Sequence, residues 1–255
     1  MGAGVGSSSG CASARGPAMM KPTMAVARRI VAILFCIAVP LAAQFQAPLE
    51  AESPEEFDLY LTVEGAQDAA AVVKRSEAFR GRWPQSNLLP RVWEMRFLAL
   101  QRLGKTDEAK AAGEEALRLA PGNLTVRAGL AVQLASEDGA AAQGHARAVL
   151  DELDRAKIRR AVPMEKYREV AAKLRAQARV ALGLVLYRRG DMAGALRELE
   201  TADRLAPEPA LSYRLGRLYG ALGRTEEARK RLAEAANAPD PELAERGRRA
   251  LAELR

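Results

Sequence analysis

One stretch of this chain repeats another at a fixed distance, and that constrains the fold more than any other feature. The segments "ALGLVLYRRGDMAGALRELETADRLAP" (Ala181–Pro207) and "YRLGRLYGALGRTEEARKRLAEAANAP" (Tyr213–Pro239) align on their small residues. Gly183 meets Gly216, Gly190 meets Gly223, Ala195 meets Ala228 and Ala202 meets Ala235, each step being 33 residues. Between these marks the apolar residues fall at helical spacing: Leu182 and Leu186, Leu196 and Leu199, then Leu215, Tyr219, Leu222 and Leu232. Self-similarity at a period of roughly 33–34 residues is the signature of a helical solenoid, whose unit is helix, turn, helix. Gly190 and Gly223 stand where a first helix must stop and turn. Gly183 and Ala195 predict a close crossing within one hairpin, and Ala202 predicts contact with the next. Pro207 and Pro239 cannot continue a helix, so they end the second one.

The pattern L-G-x2-(L/Y), then G, A, A and P, resembles the tetratricopeptide repeat (TPR). It recurs upstream. "VWEMRFLALQRLGKTDEAKAAGEEALRLAPGN" carries Trp93, Leu100, Gly104, Ala109, Ala116 and Pro121 at the matching offsets. Phe97 stands where the family usually has glycine, which implies a wider crossing there. "PEEFDLYLTVEGAQDAAAVVKRSEAFRGRWPQS" has Leu59, Tyr60, Phe79 and Pro84, and its Trp83-Pro84-Gln85-Ser86 resembles the repeat ending of bacterial periplasmic members. Between Pro121 and Gln177 the register breaks. That stretch reads as a degenerate hairpin (124–135, then 140–156), followed by a helix opened by Pro163 that runs through Tyr167, Val170 and Leu174 into the next repeat.

The expected fold is therefore all-α, a right-handed α-solenoid of about five TPR-like hairpins: 53–87, 88–121, 122–156, 163–207 and 208–238. A capping helix at 239–255 follows, with Asp240 as its N-cap and Pro241 in its first turn. Aromatic residues are only 5% of the chain, and no strand-like alternation interrupts the pattern.

Residues 1–43 read as a signal peptide with an overlong start, and 44–52 as a linker. Lys21, Arg28 and Arg29 precede ten apolar residues (30–39), Pro40 and the small residues Ala42 and Ala43. Cleavage after Ala43 leaves Gln44 first. The apolar run is far shorter than the ~20 residues a membrane-crossing helix needs, so no stable transmembrane anchor is expected after cleavage. The alternative is an uncleaved N-terminal membrane anchor. The expected location is the bacterial periplasm or the exterior. Phe35 before Cys36 excludes a lipoprotein leader.

Both cysteines, Cys11 and Cys36, lie in that leader. The mature chain has no thiol, which excludes cysteine nucleophiles and cysteine-bound metal. The net charge of +7 falls to about +3 with the leader removed, because residues 1–43 hold four cations and no acid. The basic run Arg155, Lys157, Arg159, Arg160 has no interleaved aromatic residue. It reads as a solvated connector, and no nucleic-acid partner is expected.

No catalytic constellation emerges. His145 is the only histidine and has no partner spacing for a triad or a metal site. Glu114-Glu115, Glu226-Glu227 and Glu200 belong to the outer faces of second helices. "GKTDEA" at Gly104 is a repeat turn, with Ala99 where a phosphate loop would have glycine. The chain is expected to be no enzyme and to use no cofactor or metal.

What remains is a binding surface. The resemblance implies that first helices line a concave groove holding an extended or helical segment. Carried over by position, the groove residues are Arg91, Glu94, Leu98, Gln101 and Arg102. Gln177, Val180, Leu184, Tyr187 and Arg188 follow in the next clear hairpin, and Tyr213, Arg214 and Arg217 in the last. The Lys/Asn clamp of chaperone-binding members is absent: its places hold Glu94 with Leu98, Val180 with Leu184, and Tyr213 with Arg217. Two roles fit. One is an envelope scaffold for a protein or peptide partner. The other is an accessory subunit for export or assembly of envelope polymers, polysaccharide or outer-membrane protein.

Overall fold

The computed structural model describes Met1, residues 50–155 and residues 164–254. The chain divides into two compact units, Met1–Ala38 and Val39–Arg255. The expected leader, its cysteines, the basic run from Lys157 to Arg160 and Pro163 lie outside the described residues.

Eleven helices and no strand form among the described residues. They are α1 (Pro54–Glu64), α2 (Ala69–Arg82), α3 (Leu89–Arg102), α4 (Thr106–Leu119), α5 (Leu124–Leu134), α6 (Gly139–Arg155), α7 (Met164–Arg188), α8 (Met192–Leu205), α9 (Pro209–Ala221), α10 (Thr225–Ala236) and α11 (Pro241–Glu253). Each odd-numbered helix packs on the even-numbered helix after it, and each pair on its neighbours, so the fold is an all-α solenoid of hairpins ended by α11.

Local sequence sets the helix boundaries. Ser53, Asp68, Asn123, Asp191 and Asp240 each accept a hydrogen bond from a free N–H in the first turn of the helix they precede. Pro54, Pro209 and Pro241 occupy first-turn positions, where the missing N–H costs nothing. Three of the five hairpin turns are built alike. Gly104, Gly190 and Gly223 have φ of 68°, 82° and 73°. The N–H groups of Lys105, Asp191 and Arg224 reach back to the carbonyls of Leu100, Leu186 and Tyr219 at 3.0, 3.0 and 2.9 Å. This is the left-handed closure that only glycine makes without strain. The first and third hairpins turn without a positive φ.

Small residues hold the crossings. Ala109, Ala116, Ala195, Ala202, Ala228 and Ala235 are all buried. A Cβ on Gly183 would stand 2.9 Å from the Leu199 side chain and 3.3 Å from the Ala195 carbonyl. One on Gly216 would stand 2.7 Å from Leu232. The second hairpin solves the same problem in reverse. Phe97, fully buried, occupies the glycine position, and Gly113 occupies the leucine position, where a Cβ would meet the Phe97 ring at 3.0 Å. Gly129 on α5 faces the same ring, its absent Cβ 2.7 Å away. The bulk expected to widen this crossing is taken up by glycines on the two facing helices.

The broken register has a physical use. Helix α7 is a single 25-residue helix. Its N-terminal half puts Tyr167, Ala171 and Leu174 into a core with Val149 and Leu153 of α6 and Leu124 of α5. Its C-terminal half sends Val185 to the core around Phe97 and Val180 to the core around Leu215. The extra residues thus bury surface that a standard hairpin would leave open. Glu200, expected on an outer face, is instead half-buried and accepts a hydrogen bond from the Tyr219 hydroxyl at 2.8 Å. That contact crosses from one hairpin to the next, a relation the residue's own helix does not reveal.

Candidate functional site on the first helices

The expected groove residues fall into three groups along the chain. Those nearer the N-terminus are committed to the fold. Glu94 is only 4% exposed, so it is withdrawn from the groove. It pairs with Arg91 at 2.8 Å and accepts a hydrogen bond from Asn123 Nδ2 at 3.0 Å. Asn123 is itself fully buried and caps α5 through its Oδ1 on Val126 N at 3.1 Å. Burial is the largest influence on Arg91 and opposes its charge, but Glu94 and Tyr60 together hold the guanidinium above its ordinary pKa. The Tyr60 hydroxyl is pushed up to about 12, by burial first and then by Glu64. A polar chain therefore joins the first, second and third hairpins through Tyr60, Arg91, Glu94 and Asn123. A buried carboxylate needs such partners. Leu98 is half-buried against the Phe97 core, while Gln101 and Arg102 are exposed at the end of α3.

In the middle of the row the apolar residues are drawn into the cores and the polar and aromatic ones stay exposed. Val180 is 7% exposed and belongs to the core shared by α7, α8 and α9, so it too leaves the groove. Leu184 is half-buried between two cores. Gln177 is exposed, and so is Tyr187, at 45%. Arg188 is exposed and donates to the Ala135 carbonyl at 3.1 Å.

At the C-terminal end the picture changes. Arg217 is claimed by Glu253 of α11 at 2.8 Å. Arg246, also of α11, stacks over the Tyr213 ring with its Cζ 5.3 Å from the centroid. Arg214 is half-buried and makes neither ion pair nor hydrogen bond. Burial pushes its guanidinium below the ordinary arginine pKa; Glu208 opposes that shift and Arg246 adds to it. The sequence reading missed Arg246. It stands one 33-residue period after Tyr213, so extending the repeat into α11 was the signal that could have found it.

Among the described residues no group of three or more His, Cys, Asp or Glu is arranged to hold a metal ion. His145 is half-buried, and its pKa is lowered by burial and by Arg127, with Glu114 acting against them. No described helix is long and apolar enough to cross a membrane.

The family profile described as "Tetratricopeptide repeat" matches residues 91–123 and 210–238, the second and fifth hairpins. Two segments of the chain match the tetratricopeptide repeat. The matched TPR units are two of the three whose turns close through a left-handed glycine, the feature that separates regular from degenerate hairpins here. No curated protein matches the sequence. Among solved structures, a double mutant of MamA from strain RS-1 aligns at TM-score 0.50 with 14% identity, covering 77% of this chain and 97% of that one. The thermophilic TPR protein TTC0263 of Thermus thermophilus is 22% identical, at TM-score 0.48, covering 78% of this chain and 96% of that one. The likeness to the MamA mutant is one of fold alone. TPR proteins in general mediate contacts between proteins and are non-catalytic.

Proposed function

We propose that the chain is a non-catalytic interaction scaffold of the bacterial envelope, holding a protein or peptide partner along its first helices. Tyr187 carries the reading: a large aromatic side chain 45% exposed near the end of α7, in a solenoid whose other tyrosines are buried or half-buried. Exposed tyrosine offers broad contact area and a hydroxyl at low entropic cost, which is why it concentrates in binding surfaces. The envelope location rests on the leader-like N-terminus.

A photo-crosslinking residue at position 187 tests the contact, with a second placed at Glu226 on a second helix as control. In envelope extract of the organism that encodes the chain, position 187 is expected to give discrete crosslinked proteins and position 226 none. Equal labelling at both positions, or none at either, overturns the reading. Fusion of residues 1–52 to alkaline phosphatase tests the location: an inactive fusion refutes export.

A further inference from the structure

Charge is sorted between the two helices of each later hairpin. Helix α5 has no acid, α9 has none, and α7 has none after Glu169. The only acid of α3 is the buried Glu94. The acids lie on the second helices: Asp107, Glu108, Glu114 and Glu115 on α4, Glu198, Glu200 and Asp203 on α8, Glu226, Glu227 and Glu234 on α10. Part of the first-helix charge is neutralised across the hairpins, Arg175 by Asp154 at 3.0 Å and Arg179 by Glu198 at 2.9 Å. At the C-terminal end that neutralisation fails. Arg217 takes the one carboxylate α11 offers it, and Arg214 and Arg246 are left with no ion pair. Arginine does not escape by deprotonating. The half-buried Arg214 guanidinium has lost water and is drawn only to Glu208, with no hydrogen bond to replace the water. The neighbouring Arg246, exposed, contributes a second charge of the same sign from its place over the Tyr213 ring.

From this arrangement we propose that Arg214, Arg246 and Tyr213 form the docking site for an acidic peptide segment of another protein. Two guanidinium forks match two carboxylates in planar geometry, and the Tyr213 ring holds the Arg246 fork in place. The site deepens the scaffold reading above and rests on it. Because α11 supplies Arg246, the terminal helix is part of the recognition surface as well as the end of the solenoid.

A fluorescein-labelled hexaglutamate peptide tests this, with hexalysine as control. Hexaglutamate is expected to bind saturably and to weaken about tenfold between low and 0.3 M salt, as solvent-exposed ion pairs do. Arg214→Ala/Arg246→Ala is expected to weaken it by a further tenfold or more with helical content unchanged. Arg229→Ala/Lys230→Ala removes the same charge from the outer side of α10 and is expected to leave binding within twofold. Absence of saturable binding overturns the proposal, as does equal loss in the two double variants, which would mean diffuse attraction to a basic surface. The scaffold reading fails separately, on the crosslinking at position 187. Partner capture there with no hexaglutamate binding sinks only the acidic-segment proposal.

Discussion

Phe97 and Gly113 stand in contact as Gly183 and Leu199 do two hairpins later, with the large and small partners exchanged. Both pairs are 16 residues apart and each brings one bare backbone against one side chain. At each crossing one helix supplies the bulk and the other the space, and the larger phenylalanine ring is also faced by Gly129. Phe97→Ala is therefore expected to cost about 3–5 kcal/mol and Gly113→Leu about 1–3 kcal/mol. The double variant should cost less than the sum, by about 1–2 kcal/mol, because the leucine enters the space the ring left. Urea unfolding of all four chains gives the coupling; strict additivity would show that the two positions do not share a cavity.

The three left-handed turns predict an effect of backbone alone. A Cβ at Gly190 meets nothing within 4 Å, yet its φ is 82°. Gly190→Ala should destabilise by about 1–2 kcal/mol. Gly122→Ala also adds a Cβ in open space, at a residue without positive φ, and should be near neutral. Matching urea midpoints for the two variants would show that turn conformation is not the cause.

Ala195 is fully buried at the crossing, its carbonyl beside Gly183, so Ala195→Leu overpacks a closed site. A loss of about 1–3 kcal/mol is expected. Arg197→Leu is the fitting comparison on the same helix, since Arg197 is exposed. A thermal melt unchanged by Ala195→Leu would mean that the repeat phase is misassigned.

Alkaline pH should reveal the tyrosine contacts. Tyr219 is pushed up to about 12 by burial and by its bond to Glu200, and Tyr60 also to about 12. An unfolded phenol ionises near 10. Both therefore contribute stability fully present below pH 10 and lost as pH rises toward 12. In chemical denaturation at stepped pH, Tyr219→Phe should flatten the fall between pH 10 and 12 while lowering stability at pH 8 by about 1 kcal/mol. An unaltered slope would mean the hydroxyl is solvated.

His145 acts on the acid side. Its pKa is depressed, so the folded chain resists protonation that the unfolded chain accepts near 6.5. Stability is complete above that value and declines as pH falls below it. His145→Gln should remove this component of acid destabilisation, as read from urea midpoints at pH 7 and pH 5. Parallel curves for the two chains would assign the acid loss to carboxylates instead.

The sequence was readable where a residue's role depends on its own helix. The left-handed glycines are such a local requirement and left a periodic mark, and Asp240 with Pro241 marked the start of its own helix. It was unreadable where a role depends on the helix opposite. Phe97 implied a wider crossing, because Gly113 and Gly129, which make room for its ring, lie on two other helices. Glu94 looked like a ligand contact because Asn123, which holds it, caps the following helix. Arg217 looked free because Glu253 lies 36 residues away, on a helix regarded as mere cap. Repeat alignment compares each position with its own column, so it cannot see pairing between columns.

Helix α7 also sets how the array comes apart. In a solenoid of standard hairpins each unit touches only its neighbours, so the ends fray one unit at a time. One continuous rod seated in three successive cores cannot release any of them alone. The third and fourth hairpins should therefore unfold as a single block of native-state hydrogen exchange, slower than either terminus, and the chain has a kinetic centre where its repeat pattern is weakest.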